Sequence, residues 1–379
     1  MLNVQERFIH KSSHHKLILE NDLILILLWS VFINTTLDFE EGQNVFIDQQ
    51  CAYTNCFVTL NKDYQNGDID IFDAIVFNVT TMANWHLRNL PKKRADHQKY
   101  IFHSIQSSSS YVICPTYTDD FFNLTWTYKL DSDIPSPLFE VKDLDGRVVA
   151  PKIVKPKWET TMSNLTEYER TNLRRKKKAM IWIVDRCDDG SLHYAKRLQS
   201  AFRKNFLDFD IFGCGMFECP ENICYRVIKQ SYYFYFVPEY SGATDYVSRD
   251  VLTAYNNYAV PVVIGNADYK RFLPDRSYIN IKTMSHDAII ALLKYTINNP
   301  AVYQSFHRWR NLYTITERNV EKGLCHLCAK LNEGKGSYAK RNFRRWWYPG
   351  SLRDRCLPGG AETYREGLAY LNDTKPIHK

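Results

Sequence analysis

The sequence predicts an α/β protein whose second half contains a parallel sheet. Four short apolar runs there are typical of buried strands: Lys178–Val184, Phe209–Phe212, Tyr232–Val237 and Val260–Ile264. Helical segments alternate with them, and this order predicts crossover connections between parallel strands. The chain has 379 residues, which at roughly 150 residues per domain predicts a second domain in the first half.

The composition is that of an ordinary globular protein. Hydrophobic residues make up 45% and charged residues 24%, which excludes a disordered or collagen-like chain. The formal net charge is +7, and the one dense basic cluster is Arg174–Lys178. Since nucleic-acid-binding chains concentrate their positive charge more strongly, we expect no nucleic acid partner.

The N-terminus contains an apolar run that follows scattered basic residues. Leu23–Ile33 is eleven residues long, and as a helix it would span roughly 16 Å of a hydrocarbon core of about 30 Å. Basic Arg7, Lys11 and Lys16 precede it. The pattern predicts an uncleaved signal anchor with a short cytoplasmic tail, and a cleaved signal peptide or a buried core helix are the alternatives.

The first half offers fewer signals. Ile71–Val79, Tyr100–His103 and Tyr111–Ile113 are predicted strands, and the Pro-rich stretch Pro135–Pro156 is predicted to be a loop or linker. Glu167–Lys178 is a charged helical stretch at the expected domain boundary. The predicted segments are a tail and anchor (1–33), a stem (34–70), an N-terminal domain (71–166), a C-terminal domain (167–330) and a tail that packs back (331–379).

The second half contains a candidate ligand site. Tyr194–Phe206 has apolar residues at helical spacing, and a second helix is predicted from about Asp245 to Asn257 with Thr244 as its N-cap. The loop Val237–Asp245 follows a strand, and parallel sheets bind ligands at the carboxyl ends of their strands. The loop therefore predicts a phosphate-bearing ligand, with a plain capped helix as the alternative.

Cysteines and sequons indicate an oxidising, glycosylating compartment. The chain has ten cysteines, and its five Asn-x-Ser/Thr sequons start at Asn34, Asn78, Asn123, Asn164 and Asn372. A cytosolic protein with free thiols is the alternative. Cys325 and Cys328 have the spacing of half a zinc site, although disulfides are favoured in a lumen. The candidates for disulfide bonding are Cys214, Cys219, Cys224, Cys325, Cys328 and Cys356, and their pairing stays open.

One stretch is recognisable. Ser231–Ser241, followed after three residues by Asp245–Ser248, resembles the signature of the alpha-1,3-fucosyltransferases, glycosyltransferase family 10. Val260–Gly265, Phe122–Ile134 and Cys325–Cys328 are similar to further segments of that family, in the family's order. The sequence is identified as a divergent member, and the resemblance runs from about residue 85 to residue 356.

The resemblance implies a GT-B architecture, in which two Rossmann-like domains face a cleft. The C-terminal domain of the family binds GDP-fucose, and the N-terminal domain holds an acceptor such as an N-glycan on a glycoprotein. The implied reaction transfers fucose, with inversion, to a GlcNAc hydroxyl of a protein-linked glycan. The implied location is the Golgi membrane, as a single-pass type II protein with a lumenal catalytic domain. No cofactor and no obligatory metal are implied, although Asp131-Ser132-Asp133 superficially resembles a metal motif.

The resemblance also assigns site residues. Tyr128 and Lys129 are expected to line the reacting centre, and Gln106 occupies the position of the family's general base. The residues expected at the donor are Ser191, Glu239, Tyr240, Ser241, Tyr246, Arg249 and Asp250.

Five of these positions depart from the family pattern, among them Tyr240, where the family has asparagine. Gln106 replaces a glutamate, Ser191 falls closest to the slot of a donor-phosphate arginine, and Arg249-Asp250 replaces Glu-Lys. A neutral amide orients a hydroxyl but does not accept its proton. The alternative function is therefore a catalytically degenerate member, acting as a lumenal glycan- or nucleotide-binding protein or as a partner of an active transferase.

Overall fold

The computed structural model describes residues 23–29, 41–79, 90–159, 161–184, 187, 190–218, 223–239, 243–319, 321–334 and 342–356. Two parallel sheets, each covered by helices, form two Rossmann-like domains, and a small antiparallel sheet lies beside the second. This arrangement confirms the predicted α/β class with two facing domains.

The first sheet has six parallel strands in the order β2-β1-β3-β4-β5-β6. They are β1 Ile24–Leu28, β2 Cys56–Thr59, β3 Ala74–Asn78, β4 Lys99–Ser104, β5 Leu124–Thr127 and β6 Ile134–Pro135. The residues of β3 are buried at every position, because helices and loops cover both faces of a parallel sheet. Val76 of β3 pairs with Ile101 of β4 in the register.

The first strand corrects the predicted signal anchor. Ile24–Leu28 lies between β2 and β3, and Ile26, Leu27 and Leu28 are buried inside the domain. The anchor over Leu23–Ile33 is therefore wrong for the described part of that run, since a short apolar run fits a buried strand equally well. Among the described residues, no helix has the length and apolarity needed to cross a bilayer.

The predicted stem also differs from the structure. The described part of residues 34–70 contains helix α1 (Asn44–Asp48) and strand β2, and Phe46 and Val58 are fully buried in the domain core. The N-terminal domain therefore includes residues well before position 71. Tyr111–Ile113, predicted as a strand, has no regular secondary structure.

The second sheet has five parallel strands in the order β10-β9-β11-β12-β13. They are β9 Lys178–Ile183, β10 Phe209–Phe212, β11 Tyr232–Pro238, β12 Val260–Ile264 and β13 Ile279–Asn280. The flanking helices are α2 Glu167–Arg174, α3 Gly190–Lys204, α4 Ile223–Ser231, α5 Asp250–Asn256, α6 His286–Asn298 and α7 Pro300–Ser305. Helix α2 begins with a capping box between Thr166 and Glu169.

An antiparallel sheet replaces the predicted linker. β7 Phe139–Lys142 and β8 Val148–Ala150 form a hairpin, and β14 Thr314–Glu317 pairs with β7. Phe139, Val141 and Ala150 are buried in the core of the second domain. The boundary between the two cores therefore lies close to β6 rather than at residue 167.

The last described helices return to the first domain. They are α8 Glu321–Asn332, α9 Phe343–Trp347 and α10 Leu352–Cys356. α8 covers one face of the first sheet, and α9 covers the other through Phe343 and Trp347. Gly323 is needed in α8, since a Cβ there would lie 2.5 Å from the indole of Trp126. The C-terminal domain was predicted to run to residue 330. In the structure it ends before α8, because α8 packs on the first domain.

Disulfides fix these returning helices. Cys51–Cys325 and Cys56–Cys328 attach α8 to the first domain, and Cys114–Cys356 attaches α10. Cys325 and Cys328 are thus disulfide-bonded, which overturns the zinc alternative. Cys187 pairs with Cys214, and Cys224 is also disulfide-bonded. Cys219 lies outside the described residues.

Candidate functional site

The two domains meet at the carboxyl ends of their central strands. Tyr128 and Lys129 follow β5 of the first domain, and a loop containing Thr244 and Tyr246 follows β11 of the second. Lys129 Nζ donates to Thr244 Oγ1 at 3.3 Å. The rings of Tyr128 and Tyr246 pack edge to face at 5.0 Å. The structure thus brings together three of the predicted site residues at the expected edge of both sheets.

Asp245 joins the same two segments. Its Oδ2 accepts from the backbone N–H of Leu130 at 3.3 Å, and its Oδ1 accepts from Arg271 Nη1 at 2.8 Å. The backbone of Asp245 is left-handed, with a φ of 63°. This geometry corrects the predicted helix start, since α5 begins at Asp250 and its N-cap is Arg249 rather than Thr244.

Asp245 and Arg271 were not predicted as site residues. Asp245 belongs to the signature segment Asp245–Ser248, and that signal could have identified it. No local pattern marks Arg271, which reaches Asp245 from 26 residues away.

Lys129 is a buried cation between the domains. Its exposed fraction is 5%. Burial lowers the pKa of Lys129, whereas the nearby carboxylates of Asp131 and Asp245 raise it. A positive charge with little water around it interacts strongly with a developing negative charge in the same cleft.

Glu239 is enclosed rather than open to a ligand. Its Oε1 accepts a short hydrogen bond from the backbone N–H of Ser248, and its Oε2 accepts from the Tyr269 hydroxyl at 3.3 Å. Burial raises the pKa of Glu239 to about 8, and the carboxylate of Asp250 adds to the shift. Glu239 therefore shapes the loop that follows β11.

The neighbouring glycine explains how that packing is possible. A Cβ at Gly265 would lie 2.5 Å from the Tyr269 hydroxyl and 2.9 Å from Glu239 Cβ. Only glycine allows the end of β12 to approach Glu239 this closely.

The neighbouring residues Arg249 and Asp250 have different contacts. Arg249 Nη1 forms an ion pair with Glu317 Oε1 of β14 at 2.8 Å, and its side chain is 44% exposed. Asp250 lies in the first turn of α5, where its backbone N–H donates to Ser248 Oγ at 3.3 Å. Arg249 is therefore held by β14, and Asp250 lies near the buried carboxyl of Glu239. Tyr240 and Ser241 lie outside the described residues.

Gln106 and Ser191 lie at the carboxyl edges of their respective sheets. The backbone N–H of Gln106 donates to Ser104 Oγ at 3.1 Å, directly after β4. The loop after β4 also contacts the residue that follows β5, since the Ser108 backbone N–H donates to the Tyr128 hydroxyl at 3.1 Å. Ser191 is buried in the first turn of α3, which follows β9.

Asp131 and Asp133 serve different partners. Asp133 Oδ2 accepts from the Thr125 backbone N–H at 2.8 Å and from its hydroxyl at 2.7 Å, which closes the turn between β5 and β6. Asp131 Oδ2 accepts from the indole N–H of Trp346 at 2.9 Å. The described residues contain no cluster of three or more metal-binding side chains.

The sequons differ in accessibility. Asn78 is buried, and its amide contacts the ring of His103 at 3.3 Å. Asn123 Oδ1 accepts from the Tyr100 backbone N–H at 2.7 Å and from Arg94. Asn164 is exposed. Asn34 and Asn372 lie outside the described residues.

Known families and proteins match most of the chain. Residues 21–139 match the family model described as fucosyltransferase, N-terminal. Residues 173–346 match the model described as glycosyltransferase family 10 (fucosyltransferase), C-terminal. These two matches include the strands of the first and second sheets respectively.

Individual relatives agree with the family models. Alpha-(1,3)-fucosyltransferase C of Drosophila melanogaster is 29% identical over 338 residues, which cover 85% of this chain and 77% of the relative. A 4-galactosyl-N-acetylglucosaminide 3-alpha-L-fucosyltransferase of Gorilla gorilla gorilla is 26% identical, covering 86% of this chain and 80% of that protein.

A solved structure of an alpha1,3-fucosyltransferase with GDP-fucose has the same fold. Its TM-score is 0.50 at 13% sequence identity, and the match covers 87% of this chain and 96% of that chain. The matching segments of the two family models together span more than half of the sequence. The chain belongs to glycosyltransferase family 10, the fucosyltransferases.

Proposed function

We propose that this protein is an inverting alpha-1,3-fucosyltransferase, which transfers fucose from GDP-fucose to a GlcNAc hydroxyl of a protein-linked glycan. The supporting observation is the contact between Lys129 and Thr244, where the carboxyl edges of the two domains meet. The relatives named above are fucosyltransferases that cover most of this chain. The donor would bind on the second domain, between the loop after β11 and the start of α3.

Lys129 is the cation that we propose for the leaving GDP. The diphosphate gains negative charge as the fucose departs, and a buried ammonium at the cleft stabilises that charge. The Arg271 guanidinium is held by Asp245, so it orients the loop rather than the phosphate. The proposal includes no obligatory metal.

The acceptor hydroxyl must lose a proton during transfer. Gln106 orients that hydroxyl but does not take its proton. Asp131 is an exposed carboxylate two residues after Lys129, and its Oδ2 accepts from the Trp346 indole N–H at 2.9 Å beside Lys129. We assign the proton acceptance to Asp131, with Gln106 as the orienting group.

A second candidate function is a lumenal protein that binds GDP-fucose or glycans without catalysis. The observation in its favour is the pair Arg249 and Asp250, which replaces the family's Glu-Lys. Arg249 is bound to Glu317, and an aspartate occupies the family's lysine position. A carboxylate near a diphosphate is repulsive, and desolvation increases the repulsion.

We further propose that the protein works in the Golgi lumen and carries a glycan on Asn164. The disulfides between distant parts of the chain favour an oxidising compartment. The type II membrane topology based on Leu23–Ile33 is not part of the proposal, because Ile24–Leu28 is a strand.

Calorimetry with GDP-fucose, followed by a transfer assay, separates the two functions. The full chain, made in a eukaryotic secretory host, is titrated with GDP-fucose and then incubated with a GlcNAc-terminated N-glycopeptide. Binding followed by fucosylation supports the transferase, and binding without fucosylation supports the second candidate. Tyr246→Ala is expected to weaken GDP-fucose binding, and Tyr295→Ala, on an exposed position of α6, is the control.

A further inference from the structure

Two consecutive tryptophans of α9 lie beside Tyr128 and Lys129, the residues that follow β5. Trp347 is fully buried, with its ring 5.6 Å from the ring of Tyr128. The indole of Trp346 lies 5.2 Å from the ammonium of Lys129. Tyr128 thus lies between Trp347 and Tyr246, and Lys129 lies between Trp346 and Thr244.

Several contacts fix α9 in this position. The backbone N–H and the Nε of Arg344 donate to the two carboxylate oxygens of Asp119 at 2.8 and 2.9 Å. The indole N–H of Trp347 donates to the Tyr111 carbonyl at 2.7 Å. The Cys114–Cys356 disulfide attaches the chain after α9 to the first domain. Trp346 is therefore presented on a rigid support.

Trp346 and Trp347 have different surroundings. Trp347 packs its ring 4.8 Å from Phe102 inside the core. Trp346 is only partly buried, and its indole N–H is bonded to the exposed carboxylate of Asp131 at 2.9 Å. An aromatic side chain, an exposed carboxylate and a buried ammonium thus lie next to one another after β5 of the first sheet.

We propose that Trp346, Asp131 and Lys129 form the subsite that binds the acceptor sugar. This inference rests on the proposed transferase function. A pyranose ring has an apolar face of C–H groups that packs on an indole, while its hydroxyls donate to a carboxylate. Trp346 and Asp131 lie on the first-domain side of Lys129, whereas Thr244, in the loop after β11, contacts Lys129 from the second domain. Trp346 provides the platform, and Asp131 accepts from the sugar hydroxyls.

The experiment compares substitutions of the platform. Trp346→Ala is expected to raise the KM for a GlcNAc-terminated N-glycopeptide by up to about tenfold, the factor that corresponds to the loss of one aromatic stacking contact. Trp346→Phe keeps an aromatic face and is expected to restore most of the acceptor affinity. The Kd for GDP-fucose is expected to stay at the wild-type value in both variants. Arg345→Ala, at an exposed position of the same helix, is the matched control.

A second readout separates this inference from the proposed function. Binding of the same glycopeptide is followed by calorimetry in the absence of GDP-fucose, a readout that does not depend on the Trp346 indole. If the wild type shows no transfer but binds the glycopeptide, and Trp346→Ala loses that binding, the transferase proposal fails while the subsite stands. If Trp346→Ala lowers only the melting temperature and leaves glycopeptide KM and Kd unchanged, Trp346 is a packing residue and the inference is overturned.

Discussion

Asp245 holds the backbone of Leu130 with one carboxylate oxygen and the guanidinium of Arg271 with the other. Leu130 follows β5 of the first domain, whereas Asp245 and Arg271 belong to the second. A single side chain therefore sets the relative position of the segments that we propose for catalysis. Its left-handed backbone, with a φ of 63°, presents the carboxylate to both partners.

Replacement of Asp245 by asparagine tests that connection. Asparagine adopts left-handed backbone readily, so Asp245→Asn removes the charge without straining the loop. We expect a loss of about 2 kcal/mol in the free energy of unfolding, because the Asp245–Arg271 pair is largely shielded from solvent. Urea denaturation of the wild type and of Asp245→Asn measures this difference in the free energy of unfolding. Asp143→Asn breaks an exposed pair with Arg147 and is the control, and equal losses in both variants would contradict the account.

Replacement of Lys129 by methionine tests the cation at the cleft. We expect kcat for fucose transfer to fall about 100-fold, as it does when one electrostatic stabiliser of a transition state is removed. Lys129→Arg is expected to recover part of the rate, since it restores the positive charge. Steady-state kinetics with GDP-fucose and an N-glycopeptide measure both. An unchanged kcat in Lys129→Met would exclude Lys129 from the chemistry.

Restoring the family residues tests the second candidate function. Gln106→Glu combined with Asp250→Lys supplies a base at the reacting edge and a cation in place of a repulsive carboxylate. We expect the rate of transfer to rise in the double variant, provided that its circular dichroism matches the wild type. Binding of GDP-fucose is expected to tighten with Asp250→Lys alone. No rise in rate and no tighter binding would indicate that the donor pocket is lost.

Glu239 predicts a pH dependence of stability. The pKa of its buried carboxyl is about 8, well above the value of about 4.3 in an unfolded chain. The unfolded carboxyl therefore loses its proton first as the pH rises, so the contribution of Glu239 to stability falls between these two values. Other groups titrate in the same range, and comparison with Glu239→Gln isolates this carboxyl.

Urea denaturation of both proteins from pH 5 to pH 8 measures the effect. Relative to the wild type, Glu239→Gln is expected to become progressively more stable as the pH rises. Parallel stability curves would show that the Glu239 carboxyl does not titrate in this window.

The sequons predict a glycosylation pattern. Asn164 is exposed, whereas Asn78 is buried against His103. We expect a glycan on Asn164 and none on Asn78 in the folded, secreted protein. Mass spectrometry after enzymatic deglycosylation in heavy-oxygen water identifies occupied sites by conversion of asparagine to aspartate. Occupied Asn78 in folded protein would contradict the packing of β3 against β4.

The second domain was largely predictable because its signals are local. β9, β10, β11 and β12 are mostly apolar runs, and the predicted bounds agree closely with the observed ones. Parallel strands buried on both faces produce that pattern directly. Ile24–Leu28 was misassigned because an apolar run of this length does not distinguish a strand from a membrane segment or a core helix.

Parts of the candidate site were not predictable for a different reason. Trp346 and Asp131 are 215 residues apart and meet only because α9 folds back over the first sheet. The ion pair of Arg249 with Glu317 likewise depends on the position of β14 beside α5. The resemblance placed Tyr128, Lys129 and Tyr246 in one site, but partners contributed by distant segments require the tertiary structure.

We propose that this chain transfers fucose at the interface of its two domains, where Lys129 meets Thr244. The most direct measurement is mass spectrometry of a GlcNAc-terminated N-glycopeptide after incubation with GDP-fucose and the full chain. We expect addition of one fucose in alpha-1,3 linkage by the wild type and a greatly reduced yield with Lys129→Met. Binding of GDP-fucose by a folded, disulfide-bonded protein with no fucosylated product would contradict the proposal.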